Sequence, residues 1–445
     1  MLEIWQDEIL TRLSRGWVMH RDFPPGTTPA RGFQWDRVLF PPRRVGDFAD
    51  LSYGRSLVEG KRKPGKVPVY GTNGPCGSHN EGLELGPGLI LGRKGQGPLG
   101  VEWCDGPFWV IDTAYFASVN PDVDLKWFYY IVKYVGLNHL KSGEKPGLQR
   151  DTFRAQMFPF PEKDVQTDIA LVLSALDDKI AANRDVNATL EALSSALFNS
   201  WFVDFDPVVA KRDGKAPVGV PAEAIDLFPN HFENSEVGPI PLGWRATRVD
   251  EAFELNPKRE LARGEVAPYL EMADLPTAGH SPEAWVRRAT GSGMRFVNGD
   301  TLMARITPCL ENGKTAFVDL LEEGEVGWGS TEYIVIRSKL PMPLPASYLL
   351  ARNEDFRAFA IQGMTGSSGR QRVGADVLGS YKLALPSDPR VLKAFGTVVE
   401  PFFRMAQASC SESRALAELR DALVGPLLSG DLTVKAAEKA AGAAL

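Results

Sequence analysis

Leu190-Glu191-Ala192-Leu193-Ser194-Ser195-Ala196-Leu197-Phe198 is restated late in the chain as Leu416-Ala417-Glu418-Leu419-Arg420-Asp421-Ala422-Leu423-Val424. Smaller echoes stand in the same order. Arg43-Arg44-Val45-Gly46-Asp47-Phe48 is answered by Ala246-Thr247-Arg248-Val249-Asp250-Glu251, and Pro68-Val69-Tyr70 by Pro268-Tyr269. Gly88-Leu89-Ile90-Leu91-Gly92-Arg93 is answered by Gly299-Asp300-Thr301-Leu302-Met303-Ala304-Arg305, and Gly147-Leu148-Gln149-Arg150 by Gly369-Arg370-Gln371-Arg372. Shared order with unequal spacing marks a duplicated unit carrying loop insertions. Two similar halves in one chain suit a molecule that touches two similar things at a fixed separation.

The opening segment belongs to a longer pattern. Residues 165–202 contain no Pro or Gly, and apolar residues fall at Ile169, Leu173, Leu176, Ile180, Leu190, Leu197 and Trp201. Steps of three and four make a heptad seam, with Asn183, Asn187 and Ser194 in the remaining seam positions. A helix of this extent spans roughly 54 Å at 1.5 Å per residue. Residues 391–428 repeat it with Phe395, Val398, Phe402, Met405, Ser409, Leu416, Leu419 and Leu423 on the seam. Gly425-Pro426 is expected to weaken that helix near its end. The tail after Leu432 is expected to fray. Two such helices bury their seams most simply against each other, and an antiparallel pair would hold two globules apart as a ruler does.

The rest is dense in turn formers. Residues 37–160 show short β-like runs (Val67–Tyr70, Leu89–Leu91, Phe108–Ile111, Ala114–Val119) and one helix from Leu125 to Leu140. Residues 244–386 repeat this, with strands expected at Thr301–Ile306, Thr315–Val318 and Tyr333–Ile336. The expected fold is α+β: two similar globular domains separated by two long antiparallel helices forming a coiled coil. The expected layout is an N-terminal segment 1–36 with a short helix at Ile4–Leu13, a first globule 37–160, a first spacer helix 161–204, a linker 205–243, a second globule 244–386, a second spacer helix 387–430 and a tail 431–445.

Composition excludes several classes. Four scattered cysteines among 445 residues, with no Cys-x-x-Cys pair, argue against a disulfide framework or zinc site and suit a reducing compartment. Met1 to Leu13 is acidic and amphipathic, unlike a secretion signal. No apolar run is long enough to cross a bilayer. These features lead to the expectation of a cytoplasmic protein with no membrane partner. The net charge of −6 is uneven: residues 37–160 hold 16 basic against 12 acidic residues, 161–200 hold 3 against 7, and 244–386 hold 17 against 18. Local charge sets the field at a binding groove, so the global value does not exclude nucleic acid.

No catalytic constellation stands out. Gly95-Gln96-Gly97-Pro98-Leu99-Gly100 matches a dinucleotide loop in spacing, but strand-like Val101-Glu102-Trp103-Cys104 follows where a helix N-terminus is needed. Asp50 with Glu59-Gly60-Lys61 imitates a nuclease's metal-binding acids, yet the second half has no counterpart. Ser/His/Asp, phosphate-loop and HExxH patterns are absent, so no catalytic and no metal-ligating residues are assigned.

What recurs is of another kind. Arg93-Lys94 pairs with Arg305, each closing an apolar strand and opening a loop, with Gln96 and Lys314 nearby. Gln149-Arg150 pairs with Arg370-Gln371-Arg372, which follows a stretch of small residues including Ser367. Arg and Gln make bidentate contacts to guanine and adenine edges. Lys61, Arg62, Lys63 and Lys66 suit sequence-blind phosphate contacts. For any one of them, a solvated surface charge is the bland alternative.

Ala196-Leu197-Phe198-Asn199-Ser200-Trp201-Phe202-Val203-Asp204-Phe205-Asp206-Pro207, with Lys211 and Gly214, and Phe232-Glu233-Asn234-Ser235-Glu236-Val237-Gly238-Pro239-Ile240-Pro241-Leu242-Gly243-Trp244 resemble the specificity subunits of type I restriction–modification systems. Phe158-Pro159-Phe160-Pro161 and Leu176-Asp177-Asp178-Lys179-Ile180-Ala181-Ala182-Asn183 resemble the same family. Gly16-Trp17 lacks the proline that usually precedes it there, and the match weakens after Gly425-Pro426. The resemblance implies a prokaryotic, non-catalytic subunit with two target-recognition domains, each reading half of a split double-stranded DNA site. It implies helices that dock two methyltransferase subunits and further restriction/translocase subunits, with Leu176, Ile180, Asn183, Leu190, Leu197, Leu416, Leu419 and Leu423 as candidate contacts. Cofactors (S-adenosylmethionine, ATP and Mg²⁺) are expected on those partners and none on this chain. Two alternatives remain: a stand-alone methyltransferase- or nuclease-like enzyme, and a coiled-coil scaffold that binds no DNA.

Overall fold

The computed structural model describes residues 23–142, 146–367 and 369–442. The helix expected at Ile4–Leu13 lies outside these residues. The chain divides into two units, one formed by residues up to Lys179 together with Leu416 onward, the other by Ile180–Ala415.

The first unit is built on a four-stranded antiparallel sheet in the order Ala49–Tyr53, Ala114–Val119, Gly88–Gly92, Val101–Cys104. Gly88–Gly92 is buried at every residue, as a central strand covered on both faces requires. A three-stranded sheet follows, in which Val67–Gly71 pairs antiparallel with Gly74–His79 and parallel with Trp109–Val110. Pro42–Arg44 pairs antiparallel with Gln156–Pro159. The helix Leu125–Val135 is capped by Asp124, whose carboxylate accepts the Trp127 amide, and its residues from Trp127 to Val132 are all buried. It stops at Gly136 (φ +68°), five residues before the expected end. Glycine takes that left-handed conformation without a Cβ penalty, and a short 3-10 turn, Asn138–Leu140, completes the stretch.

The second unit repeats this plan with one strand added to its second sheet, where Met294–Phe296 pairs antiparallel with Gly327–Gly329. Its four-stranded sheet runs Phe253–Leu255, Tyr333–Ser338, Thr301–Ala304, Thr315–Phe317, again antiparallel throughout. Val266–Leu270 pairs antiparallel with Val286–Ala289 and parallel with Gly327–Gly329. Trp244–Arg248 pairs antiparallel with Lys382–Pro386. The stretch 205–243 is ordered within this unit: a helix Asp206–Arg212, a 3-10 helix Ala222–Leu227 and a hairpin Phe232–Ser235/Gly238–Pro241. Lys211 donates to the carbonyls of Ile225 (3.0 Å) and Phe228, while Val208, Phe228 and Ile240 join the main core.

The two long helices are Lys163–Phe202 and Pro389–Ser429. Within the second unit they run antiparallel: the Asn183 amide donates to the Glu412 carboxylate (2.7 Å) and Ser413 Oγ (3.2 Å), while Phe198 meets Phe395 (6.2 Å between ring centroids). Within the first unit Asp177 takes Arg420 at 2.6 Å and the Tyr130 hydroxyl at 2.9 Å. Leu176, Ile180, Asn183, Leu190, Leu416 and Leu423 are buried, and Leu197 and Leu419 are half-buried. Burial of this degree leaves these side chains little surface to offer a partner.

Two sequence expectations are corrected here. Between Phe395 and Ala406 of the second long helix the apolar side chains that are buried are Phe395, Val399, Phe403 and Ala406, not Val398, Phe402 and Met405; Met405 is 56% exposed. That helix turns its face toward the globule, where Phe403 packs on Phe317 (5.1 Å) and Tyr348 (5.7 Å), so the strict heptad does not apply. The helix runs through Gly425-Pro426 to Ser429, in keeping with the expected end at residue 430. A proline inside a helix costs about 3 kcal/mol, and the complete burial of Leu427 and Leu428 offsets it. Beyond Leu432 the chain forms a further helix, Val434–Gly442, with Ala437 and Ala441 buried, instead of fraying.

Replacing Asn183 with alanine should cost about 1–3 kcal/mol, since Glu412 and Ser413 lose a buried donor. Urea unfolding followed by circular dichroism measures it, and an unchanged midpoint would show that the seam hydrogen bonds contribute nothing.

Candidate nucleic-acid interface

The strand ends of the first unit present a fixed loop with free side chains at its tip. Gly92 has no room for a Cβ because the Thr72 carbonyl lies against it. The next residue, Arg93, donates to the Asp112 carbonyl at 2.9 Å and lies over the rings of Tyr53 (4.6 Å) and Tyr115 (5.5 Å). Thr72 Oγ1 donates to the Lys94 carbonyl, and Lys141 Nζ reaches the carbonyls of Gly95, Gln96 and Gly97. The loop backbone is therefore held while Lys94 and Gln96 stay exposed. Tyr53, 54% exposed, was not singled out from sequence; an aromatic at the end of a strand was its only signal.

Lys61 and Lys63 are exposed. Arg62 is not free: its guanidinium donates to the Cys76 carbonyl, and its Nε is buried. Gln149 is exposed, but Arg150 is bound by Asp50 in a bidentate pair that Arg154 joins at 3.3 Å. The hydrogen bond from Arg150 holds the Asp50 carboxyl below its ordinary range.

In the second unit Lys314 donates to the carbonyls of Met272 (2.6 Å) and Ala273 (3.1 Å). Arg372 forms a bidentate pair with Glu332 (2.7–3.0 Å), which likewise lowers the Glu332 carboxyl. Both ion pairs are at full strength at neutral pH. They are lost in acid, as the pH falls through the depressed carboxylate values. Arg305 is half-buried, and its Nε reaches no hydrogen-bond partner. Ser367 and Arg370 are exposed and Gln371 is half-buried. Sequence reasoning also missed a stack of Tyr269 on Trp328 (4.5 Å) with Arg288 over the Tyr269 ring (5.0 Å).

Strand pairing revises the matched positions. Arg93 and Arg305 are true counterparts: the amide of each donates to the residue just before the neighbouring strand, Thr113 (2.9 Å) and Glu332 (3.0 Å). The Gly-x-Gln-Arg echo is not. Lys94 bridges Gly147, whereas Ile306 bridges Arg372, and the amides of Leu148 and Val373 donate to the carbonyls of Arg93 and Arg305. Gly147 thus corresponds to Arg372, and Arg150 to Ala375, each opening a short helix (Arg150–Arg154 and Ala375–Gly379). The Asp50–Arg150 and Glu332–Arg372 pairs arose at different positions.

The arrangement offers guanidinium and amide donors suited to base edges, ammonium groups suited to phosphates, and aromatic faces. Among the described residues no cluster of three His, Cys, Asp or Glu side chains is placed to hold a metal ion, and no helix is long and apolar enough to cross a membrane.

A duplicated α+β domain with paired long helices defines the class, and the solved structures contain it. The S subunit of a type I restriction–modification system from M. genitalium superposes with a TM-score of 0.55 over 90% of this chain and 99% of that one, at 15% identity. No family model matches. Among curated proteins, the HindI specificity subunit of Haemophilus influenzae is 45% identical over 71 residues, 16% of either chain. The EcoAI specificity subunit of Escherichia coli is 27% identical over 47% of this chain and 37% of its own. The MjaIX specificity subunit of Methanocaldococcus jannaschii is 22% identical over 65% of this chain and 64% of its own. The matches thus span from 16% to 64% of the length of these relatives. This chain is similar, in sequence and in fold, to the specificity subunits of type I restriction enzymes.

Proposed function

We propose that this chain is a non-catalytic specificity subunit that directs methyltransferase and restriction subunits to a bipartite DNA target in a prokaryotic cytoplasm. One unit reads one part of the target and the other unit reads the second. The outward faces of the helices dock the partner subunits, which carry S-adenosylmethionine, ATP and Mg²⁺. The observation that carries this reading is a shared scaffold with divergent loop ends. Arg93 and its counterpart Arg305 are both half-buried, but Arg93 lies over the Tyr53 ring and donates to the Asp112 carbonyl, whereas the Arg305 Nε reaches no hydrogen-bond partner and, among the described residues, no aromatic ring lies beneath its guanidinium. A common frame with unlike side chains suits two unlike half-sites. The names of the relatives agree.

Mobility-shift measurements on the chain with its co-purified methyltransferase subunits test the proposal: protection of one bipartite sequence over random DNA at moderate salt is expected, and none would sink it. Arg93→Ala should relax discrimination at one base pair by about 1–3 kcal/mol, read as the affinity ratio between the cognate site and its single-base variants. Arg150→Ala should leave those ratios unchanged, because its guanidinium is committed to Asp50.

A further inference from the structure

The two units differ in charge at a connection whose topology they share. In each, one connection leaves the first strand of the four-stranded sheet and enters the middle of the second sheet: Gly54–Lys66 in the first unit and Asn256–Glu265 in the second. The first holds Arg55, Lys61, Arg62, Lys63 and Lys66 against Glu59 alone; the second holds Lys258, Arg259 and Arg263 against Glu260 and Glu265. The first connection is pinned along its length. The Arg55 amide donates to Val110 (2.8 Å), Trp109 Nε1 to the Arg55 carbonyl (2.9 Å), Arg62 to Cys76, and the Lys63 amide to His79 Nδ1 (2.9 Å). Its backbone is fixed while Lys61, Lys63 and Lys66 are exposed, and among the described residues none of the three enters an ion pair. In the second connection Arg259 is taken up by the fully buried Asp300 (3.1 Å), and on the next strand Arg287 is taken up by Glu325 (2.6 Å).

We propose that the segment Gly54–Lys66 is the chain's principal grip on DNA backbone phosphates, so that the first unit supplies most of the sequence-independent affinity and the second unit contributes mainly discrimination. The inference rests on the reading of the chain as a DNA-binding subunit. Exposed ammonium groups carried on a held backbone suit phosphate oxygens, since each neutralised phosphate releases condensed counterions without reporting sequence.

The test uses the full chain purified from its host with whatever subunits accompany it, titrated with a random-sequence duplex over a range of salt. Lys61→Gln/Lys63→Gln/Lys66→Gln should reduce the slope of log affinity against log salt by about 2–3, near 0.9 for each lost phosphate contact. Lys258→Gln/Arg263→Gln should reduce it by less than about 1 in total. All five side chains are at the surface, so folding is preserved. An equal or larger loss per cation from the second pair, or an unchanged slope in the triple variant, overturns the proposal while leaving DNA binding intact. Absence of salt-dependent binding by the unaltered protein overturns the DNA-binding reading, and this inference falls with it.

Discussion

Asp300→Ala should lower the stability of the second unit by about 3–5 kcal/mol, the loss expected when one partner of a buried ion pair is removed. Asp300 is fully buried at the head of the strand Thr301–Ala304. Its carboxylate accepts from Arg259 (3.1 Å), from Arg337 on the neighbouring strand (2.7 Å) and from the Val297 amide (2.9 Å). Truncation leaves two largely buried guanidinium groups and an amide without their acceptor. Asp300→Asn keeps an acceptor of the same shape and should cost less. Hydrogen exchange in denaturant reports the effect strand by strand: Tyr333–Ser338 should lose protection while Gly88–Gly92 in the first unit does not. Protection of Tyr333–Ser338 in Asp300→Ala equal to that in the unaltered protein would show that the carboxylate carries no net stabilisation. The counterpart of Asp300 in the first unit is Gly88, packed against the Phe108 ring. One scaffold position is filled by ions in one unit and by an aromatic face in the other.

Trp201→Ala should cost the second unit about 3–5 kcal/mol, the loss of a large buried aromatic plus the cavity it leaves. Trp201 is fully buried at the end of the first long helix, edge-on to Phe228 (5.1 Å, 89°) and tilted against Phe395 (5.4 Å). It joins three parts of the sequence: the first helix, the segment before the second globule, and the second helix. Its indole Nε1 is buried without a hydrogen-bond partner. Trp201→Phe therefore gives up ring volume but no hydrogen bond, and should retain most of the stability. Limited proteolysis in urea separates the two variants, and a phenylalanine variant as weak as alanine would refute the packing account.

The duplication and the helices were legible because they rest on many residues acting together. Ile169, Leu173, Leu176 and Ile180 repeat at helical spacing, and no single substitution could hide that pattern. The individual loop positions were not legible. Gly-x-Gln-Arg occurs twice, yet hydrogen bonding from Leu148 to Arg93 and from Val373 to Arg305 places the two copies three residues out of register. Four residues are too short a run for any periodicity to fix their alignment, whereas a strand ladder does. Arg150, Arg372 and Lys314 looked available because their neutralising partners (Asp50, Glu332 and the carbonyls of Met272 and Ala273) lie about 40 to 100 residues away. The second seam was misread between Val398 and Met405 because the helix there packs on Phe317 and Tyr348 of the globule, a partner that heptad spacing does not encode.

Apolar period and repeated order were enough to dictate two α+β halves, two long helices and their antiparallel seam, since burial of a regular stripe depends on composition at fixed spacing and little else. Folding alone decided which cations remain free. A guanidinium or ammonium group is taken up by whatever carboxylate or carbonyl the chain brings within about 3 Å, and that proximity is set by strand register across distant segments. Lys94 at the tip of a held loop, Lys61, Lys63 and Lys66 along a pinned connection, and Arg370 in the second unit are among the cations left exposed once those pairings are made.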